Sequence, residues 1–289
     1  MTVYFEKMTK DYPCFFCFAD SFGKLIEKQN LTEQQKTEFT QYIAQLGANE
    51  ILYSSPEFST LLHRKLKQMS GNEDVYAQEK HESNQKAKEL VEKLKPQIKN
   101  SKNIFDLTLR LAIAGNIMDY GAPTSRDIEK TIEQVLTTNF SIDHSAALQT
   151  DINHAKQILY LGDNAGEIVF DKLFIENIAH RNVYFAYRGS PIINDITLKD
   201  VEELGMSSIA KIISNGYDAP STVLDKVSNE FMQIWDDSDL IISKGQGNLE
   251  GLIENHNKNI YFLLMVKCDV IAKHLNVKKG DFVVYNSNH

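Results

Sequence analysis

Six short apolar runs, at residues 157–161, 183–187, 210–214, 239–243, 260–264 and 282–285, punctuate the second half of this chain. Runs of that length read as buried strands, and the amphipathic stretches between them, such as 168–179 and 221–236, read as helices. A strand that is apolar along its whole length needs cover on both faces. The pattern therefore predicts an α/β fold with a mostly parallel sheet between helical layers. Right-handed crossovers would then gather the ligand-bearing loops at the carboxyl ends of the strands.

The first half has a different texture. Phe39, Tyr42, Ile43 and Leu46 recur at helical spacing, and Leu107, Leu109, Leu111, Ile113 and Ile117 mark a well-buried helix. About six or seven helices are expected there, with Ser55-Pro56 and Ala122-Pro123-Thr124 as breaks and no convincing strand. The expected division is a helical N-terminal part over 1–153 and an α/β part over 154–289 carrying most of the site. Residues 78–99, rich in Lys and Glu, read as a solvated helix face.

Charge narrows the partners. The formal net charge of -8 repels polyanions, and no basic stripe compensates, so nucleic acid and anionic membranes are poor partners. A small anion can still bind beside a cation. Met1 leads into Glu6, Lys7, Lys10 and Asp11 without a leader pattern, and no long apolar run follows, so a cytoplasmic location is expected. Three cysteines make no disulfide framework. Cys14 and Cys17 have redox or metal spacing, but among Phe15, Phe16 and Phe18 they read better as buried packing thiols. A zinc site would need further ligands.

Polar clusters follow several of the apolar runs. After 158–161 comes Gly162-Asp163-Asn164-Ala165-Gly166-Glu167, a carboxylate and an amide beside a helix start. Their oxygens suit a hard divalent cation, and helix-terminal amides suit a phosphate. A helix cap alone would explain one polar residue but not the pair with two flanking glycines. After 183–187 comes Arg188-Gly189-Ser190-Pro191, then Asn194-Asp195, which could complete a metal site or simply open a helix at Thr197 and Leu198. Ser214-Asn215-Gly216 follows the third run, as ligand loop or plain turn. After 239–243 comes Lys244-Gly245-Gln246-Gly247-Asn248, whose glycines let the backbone approach an anion while Lys244 supplies charge for a phosphoryl oxygen; a helix is expected from about Leu249. In the helical half, Asn116 and Asp119 share a helix face and could line the cleft, or mark a helix end capped by Gly121.

Asp163, Asn164 and Asp195 are thus the candidate metal ligands, and Asp163, Asn164, Lys244 and Glu167 the candidate catalytic groups. Arg188, Ser190, Asn116, Asp119, Gly245, Gly247 and Asn248 are candidates for substrate contact. Three functions fit: a metal-dependent phosphatase of small phosphorylated metabolites, a methyltransferase using S-adenosylmethionine, or a noncatalytic phosphometabolite-binding protein. Asp163-Asn164 sits where a methyltransferase turn wants small residues. Zincin and serine-hydrolase motifs are absent, and Ala165 breaks the Asp-x-Asp pattern of a covalent aspartyl mechanism.

The ordered set of strings resembles the damage-control phosphatases, formerly a domain of unknown function. Carrying the resemblance are Gly162-Asp163-Asn164-Ala165-Gly166-Glu167, Gly189-Ser190-Pro191 with Asn194-Asp195, and Lys244-Gly245-Gln246-Gly247-Asn248. Gly115-Asn116 with Asp119, Gly71-Asn72-Glu73-Asp74 and residues 267–280 add to it. It covers nearly the whole chain and is similar to the stand-alone microbial subfamily. It implies a helical N-terminal part, a Rossmann-like α/β part, and hydrolysis of phosphate esters of small metabolites, sugar phosphates or damaged intermediates. The implied cofactor is a divalent metal, whether magnesium, manganese, cobalt or nickel, on Asp163, Asn164 and Asp195. Arg188, where the family pattern has lysine, and Ser214-Asn215-Gly216, in place of a Thr-Gly-like string, depart from it.

Overall fold

In a computed structural model, described for residues 12–48, 54–115 and 125–288, the helical part comprises α1 (Tyr12–Glu27), α2 (Glu33–Ala48), α3 (Ser55–Ser70), α4 (Ala77–Lys99), α5 (Ile104–Ala114) and α6 (Ser125–Thr137). A two-residue strand, β1 (Ile142–Asp143), and α7 (Ser145–His154) lead into the rest. There β2 (Ile158–Leu161), α8 (Glu167–Ile178), β3 (Val183–Tyr187), α9 (Leu198–Glu203) and β4 (Lys211–Ser214) alternate. After them come α10 (Asn229–Asp237), β5 (Leu240–Lys244), α11 (Gly245–Leu252), β6 (Ile260–Met265), α12 (Asp269–Leu275) and β7 (Phe282–Asn286).

All six apolar runs are strands of one sheet, ordered β1-β7-β6-β5-β2-β3-β4. From β2 the chain steps outward through β3 to β4, then returns to β2's other side with β5. Ile158 consequently faces Val183 on one side and Leu240 on the other, both in parallel register. The loops after β2 and β5 therefore flank the point where strand order reverses, which is where an open α/β sheet forms its crevice. Two features depart from the expected pattern. β7 is antiparallel to β6, with Met265 opposite Phe282, because α12 stays at the end of β6 and the chain re-enters the sheet where it left. β1, inside the half expected to be wholly helical, pairs with β7 in parallel.

Alternation along the strands sorts the two cores. Ile158, Tyr160, Val183, Phe185, Leu240, Ile242, Tyr261, Leu263 and Val284 pack against α4, α5 and α8, whereas Leu159, Leu161, Ile241, Phe262, Leu264 and Val283 pack against α10, α11 and α12. Helices α1 to α3 bury their own cluster around Phe22, Phe39, Phe58, Leu62 and Leu66. Ser55-Pro56 begins α3 rather than merely interrupting the chain: the Ser54 N–H donates to Glu57 Oε2 at 2.8 Å, Pro56 occupies the first turn, and Gly71, at φ 66°, closes the helix.

Two local expectations need correction. Residues 221–228 are not helical; α10 starts at Asn229, capped by the Ser228 hydroxyl, which accepts from the Phe231 N–H at 3.1 Å. The Gly245-Gln246-Gly247-Asn248 string is the first turn of α11, not a loop before it. α4 presents the expected solvated face and buries the opposite one, with Lys80, Ser83, Asn84, Ala87 and Leu90 inside. No helix among the described residues is long and apolar enough to cross a membrane.

Candidate functional site

Backbone pairing assembles the site from two loops. The loop after β2 and the loop after β3 are joined by an antiparallel bridge between Asn164 and Asp195. The Ala165 N–H donates to the Asn194 carbonyl and the Ile196 N–H to the Asp163 carbonyl, both at 2.9 Å. Asp163, Asn164 and Asp195, which are 32 positions apart at their extremes, are thereby side by side and buried. To make this turn Ile193 adopts φ 44°, a left-handed conformation that a β-branched residue rarely takes.

The third wall is the start of α11. Gly245 has φ 77°, and a Cβ there would lie 1.8 Å from Asp163 Oδ2, so only glycine lets the backbone pass the carboxylate. Gly247 is equally constrained: its Cβ would meet the Pro220 carbonyl oxygen at 2.1 Å. Asn248 is a buried hub. Its Oδ1 accepts from Thr222 at 3.0 Å and from Arg188 Nη2 at 3.2 Å, while its Nδ2 donates to the carbonyls of Lys244 (2.8 Å) and Gly162 (3.3 Å).

Arg188 clamps the two carboxylates, donating from Nε to Asp195 at 2.6 Å and from Nη2 to Asp163 at 3.5 Å. Burial, together with the negative charges of Asp195 and Glu167, pushes the Asp163 carboxyl well above its ordinary range, against the pull of Arg188 and Lys267. Lys267, just beyond β6, therefore belongs to the site's electrostatics, although the motif reading named only its segment.

Asn164 is oriented unambiguously by its neighbours. Its Nδ2 lies 2.7 Å from Asp163 Oδ2 and 3.2 Å from Glu167 Oε2, and carboxylates only accept. The amide nitrogen is thus the end that faces these two carboxylates. Glu167 is held in turn by Lys244, whose ammonium donates to Glu167, to Asp171 Oδ1 at 2.8 Å and to the Ala112 carbonyl at 2.8 Å. Burial works against charge on Lys244, but Asp171 and Glu167 outweigh it and hold the ammonium above its ordinary range. With three acceptors for its three N–H groups, Lys244 faces its carboxylates rather than the opening.

Of the other candidates, Ser190 is exposed on the loop after β3, next to Pro191, whose carbonyl accepts from Lys67 of α3. Asn116 and Asp119 lie outside the described residues. Cys17 is exposed and Cys14 half-buried, so the expectation of buried packing thiols fails for both.

Several contributors carried no motif. Asn84 of α4 accepts the Gly166 N–H at 2.7 Å and donates to Asp200 at 3.1 Å, and Lys80, one turn earlier, pairs with Asp200 at 3.1 Å and Asp74 at 3.2 Å. Positions 80, 84, 87 and 91 form a helical stripe that is polar at its start and apolar at its end, a signal masked by the surrounding Lys and Glu. Asn215, from the string already noted after the third run, accepts from the Gly189 and Tyr217 N–H groups. Arg64 of α3 pairs with Asp218 and lies over the Tyr217 ring at 5.2 Å, so α3 grips the same loops.

Do these residues fit a divalent cation? Among the described residues no three His, Cys, Asp or Glu side chains cluster as a metal site; the candidate set is two carboxylates and an amide. Those are hard oxygen donors of the type magnesium or manganese prefers. Asn194 Oδ1, Asn215 Nδ2, Ser221 Oγ and Ser243 Oγ, on the surrounding strand ends and loops, are buried without a hydrogen-bond partner in the structure, a concentration of unsatisfied polar atoms expected at a ligand site. The donor set fits.

Comparison with known proteins places the chain in a family. A family model described as the damage-control phosphatase ARMT1-like domain matches residues 11–283. The chain is 34% identical to damage-control phosphatase PH1575 of Pyrococcus horikoshii, over 96% of this chain and 97% of that protein. It is 31% identical to a damage-control phosphatase of Archaeoglobus fulgidus, over 78% of this chain and 80% of that one. The crystal structure of the P. horikoshii DUF89 family protein superposes with a TM-score of 0.87 at 32% identity, covering 96% of this chain and 98% of that one. These matches leave the methyltransferase alternative without support. The chain belongs to the damage-control phosphatase ARMT1-like family.

Proposed function

We propose that the chain hydrolyses phosphate monoesters of small metabolites, sugar phosphates or damaged intermediates, with a divalent metal held by Asp163, Asn164 and Asp195. The observation that carries this reading is the Asn164–Asp195 bridge, which sets two buried carboxylates and the Asn164 amide together at the switch point of the sheet. Bound there, a divalent cation supplies charge neutralisation at a phosphoryl oxygen and acidifies the attacking water. Magnesium, manganese, cobalt and nickel all suit such a donor set by ligand type.

The chain's own groups do the rest. Arg188 keeps Asp163 and Asp195 from repelling one another and presents a fixed cation beside the phosphoryl group. The amides at the start of α11 face an anion at a helix N-terminus, with Gly245 and Gly247 permitting close approach. Ser190 and Lys67, at the rim, are placed to contact the organic part of the substrate. Glu167, bonded through both carboxylate oxygens, holds the site in shape rather than moving a proton.

The test is phosphate release from a panel of sugar phosphates and p-nitrophenyl phosphate, after chelation and re-addition of each divalent metal. Metal-restored activity that disappears in Asp163→Ala and Asp195→Ala, both still folded, is the expected result. Sugar-phosphate binding without turnover under any metal would favour the noncatalytic binding protein.

A further inference from the structure

Behind the proposed metal ligands runs a line of buried polar side chains to which the reaction assigns no role. The Tyr160 hydroxyl, on β2 beneath the catalytic loop, donates to Asp171 Oδ1 at 2.6 Å. Lys244, at the end of β5, donates to the same oxygen and to Glu167 Oε1, and Glu167 Oε2 receives the Asn164 amide. Tyr160, Asp171, Lys244 and Glu167 are all fully buried or nearly so.

We propose that Tyr160, Asp171 and Lys244 are positioning residues: they anchor Glu167, and through Glu167 they fix the Asn164 side chain with its oxygen toward the cation. This rests on the metal-site reading above. The reasoning is steric and chemical. A side-chain amide has two ends of nearly equal size, so packing alone cannot choose between them; an acceptor on one side can. Asp163 is one such acceptor, but as a metal ligand its oxygens are shared with the cation. Glu167 is the acceptor that remains, and it selects the amide's orientation only while its carboxylate is held still.

Lys244 holds it, and Lys244 is itself fixed from two other directions. The Ala112 carbonyl, from the end of α5, takes one N–H, and Asp171, one turn further along α8 than Glu167, takes another. Tyr160 then locks Asp171 from the sheet. Its ring stacks on Phe185 at 5.6 Å, so the hydroxyl cannot swing away. The line thus ties Asn164 to four separate elements, α5, α8, β2 and β5. Buried ionic groups of this kind seldom improve on apolar packing for stability alone, which is why a positional role is the better account.

The readout is metal affinity in the absence of substrate, by calorimetric titration of the chelated protein with Mn²⁺, alongside thermal unfolding. Wild type should bind one Mn²⁺ that Asp163→Ala does not. Asp171→Asn should weaken binding by about tenfold, within the range seen when partners behind a metal ligand are removed, and Tyr160→Phe should weaken it in the same direction by less. Ile242→Val, on the same face of the sheet, is the stability control: it should lower the melting temperature and leave the Mn²⁺ affinity unchanged. Should Asp171→Asn fail to fold, Tyr160→Phe decides. Mn²⁺ binding that Asp163→Ala abolishes but Asp171→Asn and Tyr160→Phe leave at the wild-type value would overturn this proposal and spare the metal site. No Mn²⁺ binding by folded wild type would remove both.

Discussion

Gly245 is where single-residue chemistry is most exposed. Its φ of 77° costs a side-chain-bearing residue about 1–2 kcal/mol, and the added Cβ would overlap Asp163 Oδ2. Gly245→Ala should therefore displace Asp163 as well as destabilise the fold, and a shift on the order of 1 Å at a reacting group lowers turnover about 100-fold. Gly280 provides the contrast: at φ 92° it has nothing within 4 Å of a built Cβ, so Gly280→Ala should lower the melting temperature without changing kcat. Phosphatase assays and melting curves on the two variants check both statements. The ligand candidates Asp163, Asn164 and Asp195 were legible because their strings follow predicted strand ends. Asp171 and Tyr160 were not, since a lone aspartate within an apolar helix and a tyrosine within an apolar strand carry no spacing signal. Lys244 was legible as a site lysine, but its direction was not: the sequence shows the positive charge and not the two carboxylates of α8 that take it.

At the scale of elements, the continuous apolar runs located every long strand, because burial on both faces leaves that mark regardless of tertiary detail. β1 was invisible, as two residues cannot show a period. The direction of β7 was equally invisible, because it depends on where α12 lies rather than on any residue of the strand. The buried side of α4, which the Lys and Glu of its solvated face masked, has a consequence that can be measured. Asn84 accepts the Gly166 N–H and donates to Asp200, so it ties α4 to the starts of α8 and α9. Asn84→Ala leaves a buried donor and a buried carboxylate without these bonds, and should cost about 1–3 kcal/mol in urea unfolding. Gln85→Ala, its neighbour on the exposed side with a bond to Glu203, should stay within about 0.5 kcal/mol.

For the whole molecule the question is how firmly α1 to α3 are joined to the sheet. Their apolar cluster is separate from the two that flank the sheet, and among the described residues the links across include the Arg64–Asp218 pair, the Lys67 bond to the Pro191 carbonyl, and packing of α3 on α11. His63 of α3 is a natural probe of that joint. It is buried between Phe22 and Tyr76, and burial, with Lys67 nearby, pushes its imidazole down to about 3. The unfolded chain takes up a proton below about 6.5 while the folded chain resists it, so stability present above that pH is lost as pH falls towards 3. The slope approaches roughly 1.4 kcal/mol per pH unit between those limits. Asp171 and Glu250, both raised to about 7 chiefly by burial, act with the opposite sign, but they are common to wild type and His63→Phe and cancel in the difference. The expected outcome is that wild type loses stability relative to His63→Phe between pH 7 and pH 5. The single tryptophan, Trp235, lies in α10 on the far face of the sheet, so its fluorescence follows the α/β core, while far-UV circular dichroism also counts α1 to α3. With His63 weakening α1 to α3 at low pH, the dichroism transition in urea should precede the fluorescence transition at pH 5, coincide with it at pH 7, and coincide at both in His63→Phe. Coincident transitions in wild type at pH 5 would mean instead that the helices gripping the catalytic loops unfold only together with the sheet that carries them.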